Sequence, residues 1–129
     1  MALAFTQLSL ATASTSNVAS YATTAGTPTA GDLLICFVMC SGNTSGTMSG
    51  TFTWNLLTSF TKNTGADTIY IFWAYAATAT STTPTFNSTS GNATGCIISP
   101  VRVTGGEGVF QPYLRQISPP TTSATTNPS

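Results

Sequence analysis

Residues 33–40 read LLICFVMC, the longest apolar run in the chain, and eight residues are too few to cross a bilayer, which takes about 20 as a helix. Residues 27–32 precede it with TPTAGD, whose Pro, Gly and Asp are typical of a turn. A short apolar run after a turn predicts a strand that is covered on both faces. In a two-layer sandwich the partner sheet covers one face, so we expect a loop, an arm or another subunit to cover the second.

Further strands are predicted on both sides of this run, because apolar and polar residues alternate with a period of two. The alternation slips at Leu57, and Pro100 removes a backbone donor, so the strand around Pro100 is expected to be an edge strand, bulged or split there. Residues 52–57 and 69–76 are expected to form a hairpin, and residues 41–50 a loop. The other predicted strands are residues 3–10, 14–21 (a weak edge strand or an arm), 85–88, 94–103 and 109–117.

Seven or eight short strands at spacings of roughly ten residues, without a helical period, indicate an all-β fold. We predict an antiparallel β-sandwich of jelly-roll-like type, with an immunoglobulin-like sandwich as the alternative. Residues 1–117 are expected to form a single domain with an N-terminal strand or arm. Residues 118–129 contain three Pro and four Thr and no aromatic residue, so they are predicted to be an extended tail or the point where a longer chain continues.

The composition is rich in hydroxyl groups and poor in charge. Thr and Ser make up 42 of the 129 residues, while Lys and Arg number 3, Asp and Glu number 3, and His is absent. Thr favours strands, and 41% hydrophobic residues supply enough apolar surface for a folded core. A net charge of zero provides little repulsion between molecules, so we expect a protein that works in an ordered assembly. The alternative is a monomer kept soluble by its hydroxyl groups.

This composition argues against several functions. Three cationic residues cannot form the basic patch that nucleic-acid binding needs. Without imidazole and with three acids, the chain is not expected to be an enzyme. Asp32 is interpreted as a turn cap rather than a cation ligand or a base, and residues 105–108 (GGEG) as a flexible turn rather than a phosphate loop.

The three cysteines are interpreted as buried apolar side chains, and a reducing compartment fits best. Cys36 and Cys40 share a strand face but lie about 13 Å apart at about 3.3 Å per residue, too far for a disulfide. An odd number of cysteines and no His predict neither a disulfide framework nor a metal site, and no cofactor is expected.

An ordered set of short motifs resembles a group of small β-sandwich structural proteins of tailed bacteriophages. The motifs span residues 27–105 and are TPTAGDLLI at 27–35, WNLL at 54–57, the Phe72-Trp73 pair within 69–76, PTF at 84–86 and VRVTG at 101–105. The resemblance implies a jelly-roll capsid decoration or cement protein, often trimeric, or a related tail or fibre module. It implies no catalytic residue.

On this basis we expect a non-enzymatic virion protein that is made in the host cytoplasm, binds the outside of the phage head and bridges capsomers. Its partners would be sister subunits in a homotrimer and the major capsid protein, with no nucleic acid and no membrane. Met1–Ala25 and residues 118–129 are expected to embrace neighbours. The residues expected at subunit or capsid contacts are Leu34, Val38, Tyr70, Phe72, Phe110, Tyr113 and residue 115 (Arg115).

A carbohydrate-binding adhesin module is the alternative. Aromatic faces on a β-sandwich stack well on sugar rings, although their alternation along strands makes core positions the preferred interpretation. The residues that could form such a platform are Trp54, Tyr70, Phe72, Trp73 and Tyr75.

Overall fold

The computed structural model describes residues 3–42, 45–62 and 67–104, which form nine strands and no helix. The strands are β1 (Ala4–Gln7), β2 (Thr12–Ser14), β3 (Ser20–Ala22), β4 (Leu33–Ser41), β5 (Gly46–Ser49), β6 (Asn55–Lys62), β7 (Asp67–Tyr75), β8 (Thr85–Ser88) and β9 (Gly95–Thr104). The predicted strand at residues 109–117, the GGEG turn and the tail at 118–129 lie outside these residues.

The strands form two antiparallel sheets. The large sheet has six strands in the order β1-β9-β4-β7-β6, with β2 also paired to β9, and the small sheet has three in the order β3-β8-β5. Every strand pair is antiparallel. Buried side chains from both sheets pack into one cluster, so the predicted antiparallel β-sandwich is confirmed.

The core lies between the sheets and is filled by alternate residues of the long strands. Tyr70 of β7 is central, with its ring centroid 5.1 Å from that of Phe86 on β8 and 5.8 Å from that of Phe72. Burial of each such side chain stabilises the fold by about 1.5–3 kcal/mol. The main buried cluster comprises Tyr21, Cys36, Val38, Cys40, Met48, Tyr70, Phe72, Phe86, Ala93, Cys96 and Ile98.

The predicted hairpin is confirmed as β6 and β7, although β6 begins at Asn55 rather than at residue 52. The register shifts between Leu56 and Thr58, which places a bulge at Leu57, where the sequence alternation slips. Phe52 and Trp54 precede the strand and pack half-buried against the core.

Two predictions about strand positions are wrong. Residues 41–50 are not all loop, because Gly46–Ser49 form β5 on the small sheet. The strand expected at residues 3–10 is confirmed as β1, but the N-terminal segment is not an arm that embraces neighbours, because β1 and β2 pair with β9 and β3 pairs with β8. The N-terminal segment therefore completes both sheets of its own sandwich.

The strand that contains Pro100 is not an edge strand. On one side residues 95–103 of β9 pair with β4, and on the other β9 pairs first with β2 and then with β1. The Pro100 carbonyl accepts a hydrogen bond from Leu8 N (3.1 Å), so the N atom of Pro100 also points toward the β1–β2 side. Residues 8–11 lie between those two strands, and the missing donor falls at this interruption of the ladder.

Candidate functional site

The large sheet has a second apolar face that points away from the small sheet. Residues directly opposite each other in an antiparallel pair share a face. Met39 of β4 lies opposite Ile69 of β7 and Ile97 of β9, and the neighbouring residue on this face of β4 is Phe37. We call this surface the outer apolar face, and it consists of Ile35, Phe37, Met39, Phe60, Ile69, Ile71, Trp73, Ile97 and Val101.

Much of the outer apolar face is open to solvent. Phe37, Met39, Ile69 and Ile97 are 43–46% exposed, and Phe60 on β6 is 62% exposed. Side chains of β4, β7 and β9 also line a shallow cleft of about 230 Å³ on this face. Single exposed apolar residues are normal, but a contiguous exposed apolar patch marks an interaction surface.

Two of the four charged residues in the described ranges lie at the margin of the outer apolar face, and the other two, Arg102 opposite the core residue Leu34 and the buried Asp32, do not belong to it. Lys62 of β6 and Asp67 of β7 are directly opposite at one end of the sheet, and the Ser41 hydroxyl donates a hydrogen bond to Asp67 Oδ1 (2.6 Å). Arg102 lies 3.7 Å from the buried carboxylate of Asp32 at the other end of β4. A partner that covers the centre of the face would bury no charge from these residues.

The predicted contact residues lie on the opposite side of the same strands. Leu34, Val38, Tyr70 and Phe72 are at most 2% exposed, so they cannot touch a partner, and their assignment to a contact surface is wrong. Val38, Tyr70 and Phe72 pack with small-sheet residues in the main core cluster, and Leu34 packs with Leu8, Ala74 and Ala76 in a second cluster. Phe110, Tyr113 and Arg115 lie outside the described residues.

The sequence contains one indication of which face of β4 points into the core. Free cysteine is among the most buried residue types. Cys36 and Cys40 share their face of β4 with Leu34 and Val38, so interpreting the thiols as buried already places those two residues inside. Both faces of β4 are apolar, and hydropathy alone does not distinguish them.

The five aromatic residues considered as a sugar platform do not share a surface. Tyr70 and Phe72 are core residues, and Trp54 is half-buried against the core. Trp73 and Tyr75 are half-buried and point outward with the odd-numbered residues of β4. The alternative sugar platform is therefore divided between the inside and the outside of the large sheet.

The acids of the described segments do not converge on one site. Asp32 immediately precedes β4 and Asp67 lies opposite its last residue, so nine residues, or about 30 Å, separate them. Asp32 accepts a hydrogen bond from Thr29 N (2.8 Å), as expected for a turn cap, and Gly31 has φ 98°, which favours glycine. Within residues 3–42, 45–62 and 67–104, no three metal-ligating side chains cluster.

The same ranges contain no helix that could span a membrane. A scan against protein-family models, a search of curated proteins and a search of solved structures found no match to this chain. The outer apolar face is thus the feature on which a functional proposal can be based.

Proposed function

We propose that this protein is a non-enzymatic structural subunit of a virion, a decoration protein that binds the outside of a tailed-bacteriophage head and stabilises it by bridging capsomers. The outer apolar face is the observation that carries the proposal. In this role the face packs against sister subunits in a trimer, and the trimer presents hydroxyl-rich surfaces to the shell. The sequence resemblance supplies the choice of a phage head over other assemblies.

The size of the outer apolar face suits a subunit contact. Four neighbouring strands, β9-β4-β7-β6, are about 19 Å wide at about 4.8 Å per strand, and a nine-residue strand is about 30 Å long. Their planar area is roughly 600 Å², and the side chains raise the accessible area toward the 800 Å² or so that each partner buries in a stable complex.

The net charge of zero is compatible with a second copy of the chain as the partner. The chain has six charged side chains and a net charge of zero, so two copies approach without long-range repulsion. Repeated contacts in a symmetric trimer would also let weak individual contacts with a shell add up to firm binding.

Sedimentation of a matched pair of variants tests the contact. Met39→Lys places a charge among the most exposed side chains of the outer apolar face, and Thr47→Lys places the same charge on the exposed side of β5 in the small sheet. We expect the wild type and Thr47→Lys to sediment as trimers at micromolar concentration and Met39→Lys as a monomer with an unchanged circular dichroism spectrum. A wild-type monomer would contradict the proposed contact.

Immunogold electron microscopy of the source particles tests the location. Antibody against the purified chain is expected to label the outside of the head at regularly repeated positions. Label confined to the tail would replace the decoration role with the tail or fibre alternative. Particles without label would contradict both.

The outward aromatic residues make a carbohydrate-binding module the second candidate function. Trp73 and Phe37 lie on the outer apolar face and could stack on sugar rings. Ile69, Met39 and Ile97 lie among them and offer no hydrogen bonds to sugar hydroxyls, which favours a protein partner. A glycan array on which the wild type binds and Trp73→Ala does not would favour the adhesin.

A further inference from the structure

Two of the three cysteines lie face to face in the large sheet. Cys40 of β4 is directly opposite Cys96 of β9, and their Sγ atoms are 2.7 Å apart, about 0.7 Å longer than a disulfide bond. Directly opposite residues in an antiparallel pair have Cα atoms about 4.5–5.5 Å apart, within the range of about 4.4–6.8 Å that disulfides need. The backbone is already placed for a bond.

The third cysteine is not a competing partner. Cys36 lies opposite Pro100, four residues before Cys40 on the same strand, and about 13 Å separates two such positions. A metal does not explain the thiol pair either, because no cluster of three metal-ligating side chains occurs in the described ranges.

We propose that Cys40 and Cys96 form a cross-strand disulfide when the protein meets a small oxidised disulfide such as glutathione disulfide. The Cys40 thiolate attacks one sulfur of that molecule, which gives a mixed disulfide and releases one thiol. The Cys96 thiolate then attacks the Cys40 sulfur and releases the second thiol. The two protein thiols lose two electrons and two protons, and the small disulfide gains them.

The burial of the two thiols determines under which conditions the disulfide forms. Cys40 and Cys96 are 1% and 3% exposed, and both line the wall of a cleft of about 440 Å³ at the β2 end of β9. The contact with Cys40, together with burial, raises the pKa of the Cys96 thiol, so the thiolate is rare in the closed fold. Exchange is therefore fastest during folding or while β4 and β9 open.

The bond would fix two of the most exposed residues of the outer apolar face. Met39 immediately precedes Cys40, and Ile97 immediately follows Cys96. Both residues point outward, and they lie directly opposite each other. A covalent link between residues 40 and 96 also constrains a long loop in the unfolded chain, which is the main way a disulfide stabilises a fold. Both effects are independent of whether the protein sits on a capsid.

Thiol counting on the full chain tests the proposal. The protein is refolded from urea with glutathione disulfide, so that buried thiols are not protected, and is then alkylated in denaturant and mapped by mass spectrometry. We expect one alkylated residue, Cys36, and a peptide that links Cys40 to Cys96. A matched sample treated with a phosphine reductant should carry three alkyl groups. Three alkyl groups in the oxidised sample, or a linked peptide that contains Cys36, would overturn the proposal.

Thermal unfolding of two variants provides the second readout. Reductant is expected to lower the Tm of the oxidised wild type by on the order of 10 °C. Cys36→Ala should show the same decrease, because it keeps the pair, and Cys96→Ala should show none. An equal response of both variants would contradict the assignment of the bond.

Discussion

Asp32 is a charged residue that is fully buried. Its carboxylate oxygen Oδ2 lies 2.8 Å from Thr29 N and 3.7 Å from Arg102 Nε. Arg102 also donates hydrogen bonds to the Thr6 hydroxyl (3.1 Å) and the Thr27 carbonyl (3.3 Å). A buried carboxylate needs such a partner because desolvation costs several kcal/mol. The pair therefore ties the turn before β4 to β9 and β1.

Removal of the cation is expected to cost more than neutralisation of the acid. Arg102→Leu leaves the Asp32 carboxylate buried without a cation, and we expect a loss of about 3 kcal/mol in the free energy of unfolding. Asp32→Asn keeps an oxygen for the turn and leaves an arginine that reaches solvent, so its expected cost is about 1 kcal/mol. Urea unfolding at neutral pH measures both. Equal costs, or a larger cost for Asp32→Asn, would show that the ion pair does not stabilise the fold.

Cys36 gives the stability a dependence on alkaline pH. Burial raises the pKa of its thiol from 9.0 to about 12, and a backbone hydrogen bond from Ser99 offsets only part of this effect. Below pH 9 the thiol is protonated in both the folded and the unfolded chain, and its contribution is complete. Between pH 9 and 12 only the unfolded chain loses the proton, so stability falls by about 1.4 kcal/mol per pH unit.

A comparison with Cys36→Ala isolates this contribution. Both proteins are unfolded with urea in the presence of reductant, from about pH 8 to about pH 11. The wild type is expected to be the more stable at the lower pH, because alanine leaves a small cavity. Its advantage should shrink as the pH rises above 9. A constant difference between the two proteins would mean that Cys36 ionises equally in both states.

At the scale of elements, the positions of the long strands were predictable, but which face of each strand points into the core was not. Apolar runs located β4 and β7 to within two residues at each end, and the alternation of polar and apolar residues located the start of β6 to within three residues but not its end at Lys62. The bulge at Leu57 was visible as a slip in the pattern. The faces of β4 are both apolar, so their direction depends on where the small sheet packs, which is a tertiary contact. The outer apolar face could therefore not be separated from the core by hydropathy.

The two outer strands of the small sheet, β3 and β5, were the hardest to predict from the sequence. β3 and β5 have three and four residues, and each contributes one buried apolar side chain, Tyr21 and Met48. Segments this short show no period. They become strands because β8 pairs with them on both sides. Pro100 predicted an edge strand, whereas β9 has a paired strand on each side; the proline is accommodated because the chain opposite it is interrupted between β1 and β2.

Gly26 is predicted to be essential for the connection between the N-terminal segment and the rest of the sandwich. Its N–H and carbonyl both hydrogen-bond to Thr82 (2.9 Å each), and a Cβ at this position would lie 2.1 Å from the Leu8 carbonyl oxygen. Gly26→Ala is expected to destabilise the fold by about 2 kcal/mol, since backbone must move. Thr24→Ala, at an exposed site nearby, is expected to change stability by less than about 0.5 kcal/mol. Thermal melts that coincide for these two variants would contradict the close approach.

At the scale of the whole molecule, the two sheets present different outer surfaces. Hydroxyl and amide groups cover the outside of the small sheet, where Asn87 accepts a hydrogen bond from Ser20 (2.8 Å) and donates one to Ser49 (2.9 Å). The outside of the large sheet carries the outer apolar face. A molecule with one polar and one apolar side has a preferred orientation in an assembly, with the apolar side toward other subunits.

The response to salt is expected to identify the force that holds copies together. If the contact is the outer apolar face, sodium chloride between about 0.05 and about 1 M should leave the association constant nearly unchanged, because the screened charges lie at its margin. Ammonium sulfate should strengthen association, since excluded salts favour apolar burial, and the heat capacity of association should be negative. Sedimentation equilibrium and calorimetry measure these quantities. Dissociation by sodium chloride alone would show that ion pairs such as those of Lys62 or Asp67, rather than the apolar face, hold the copies together.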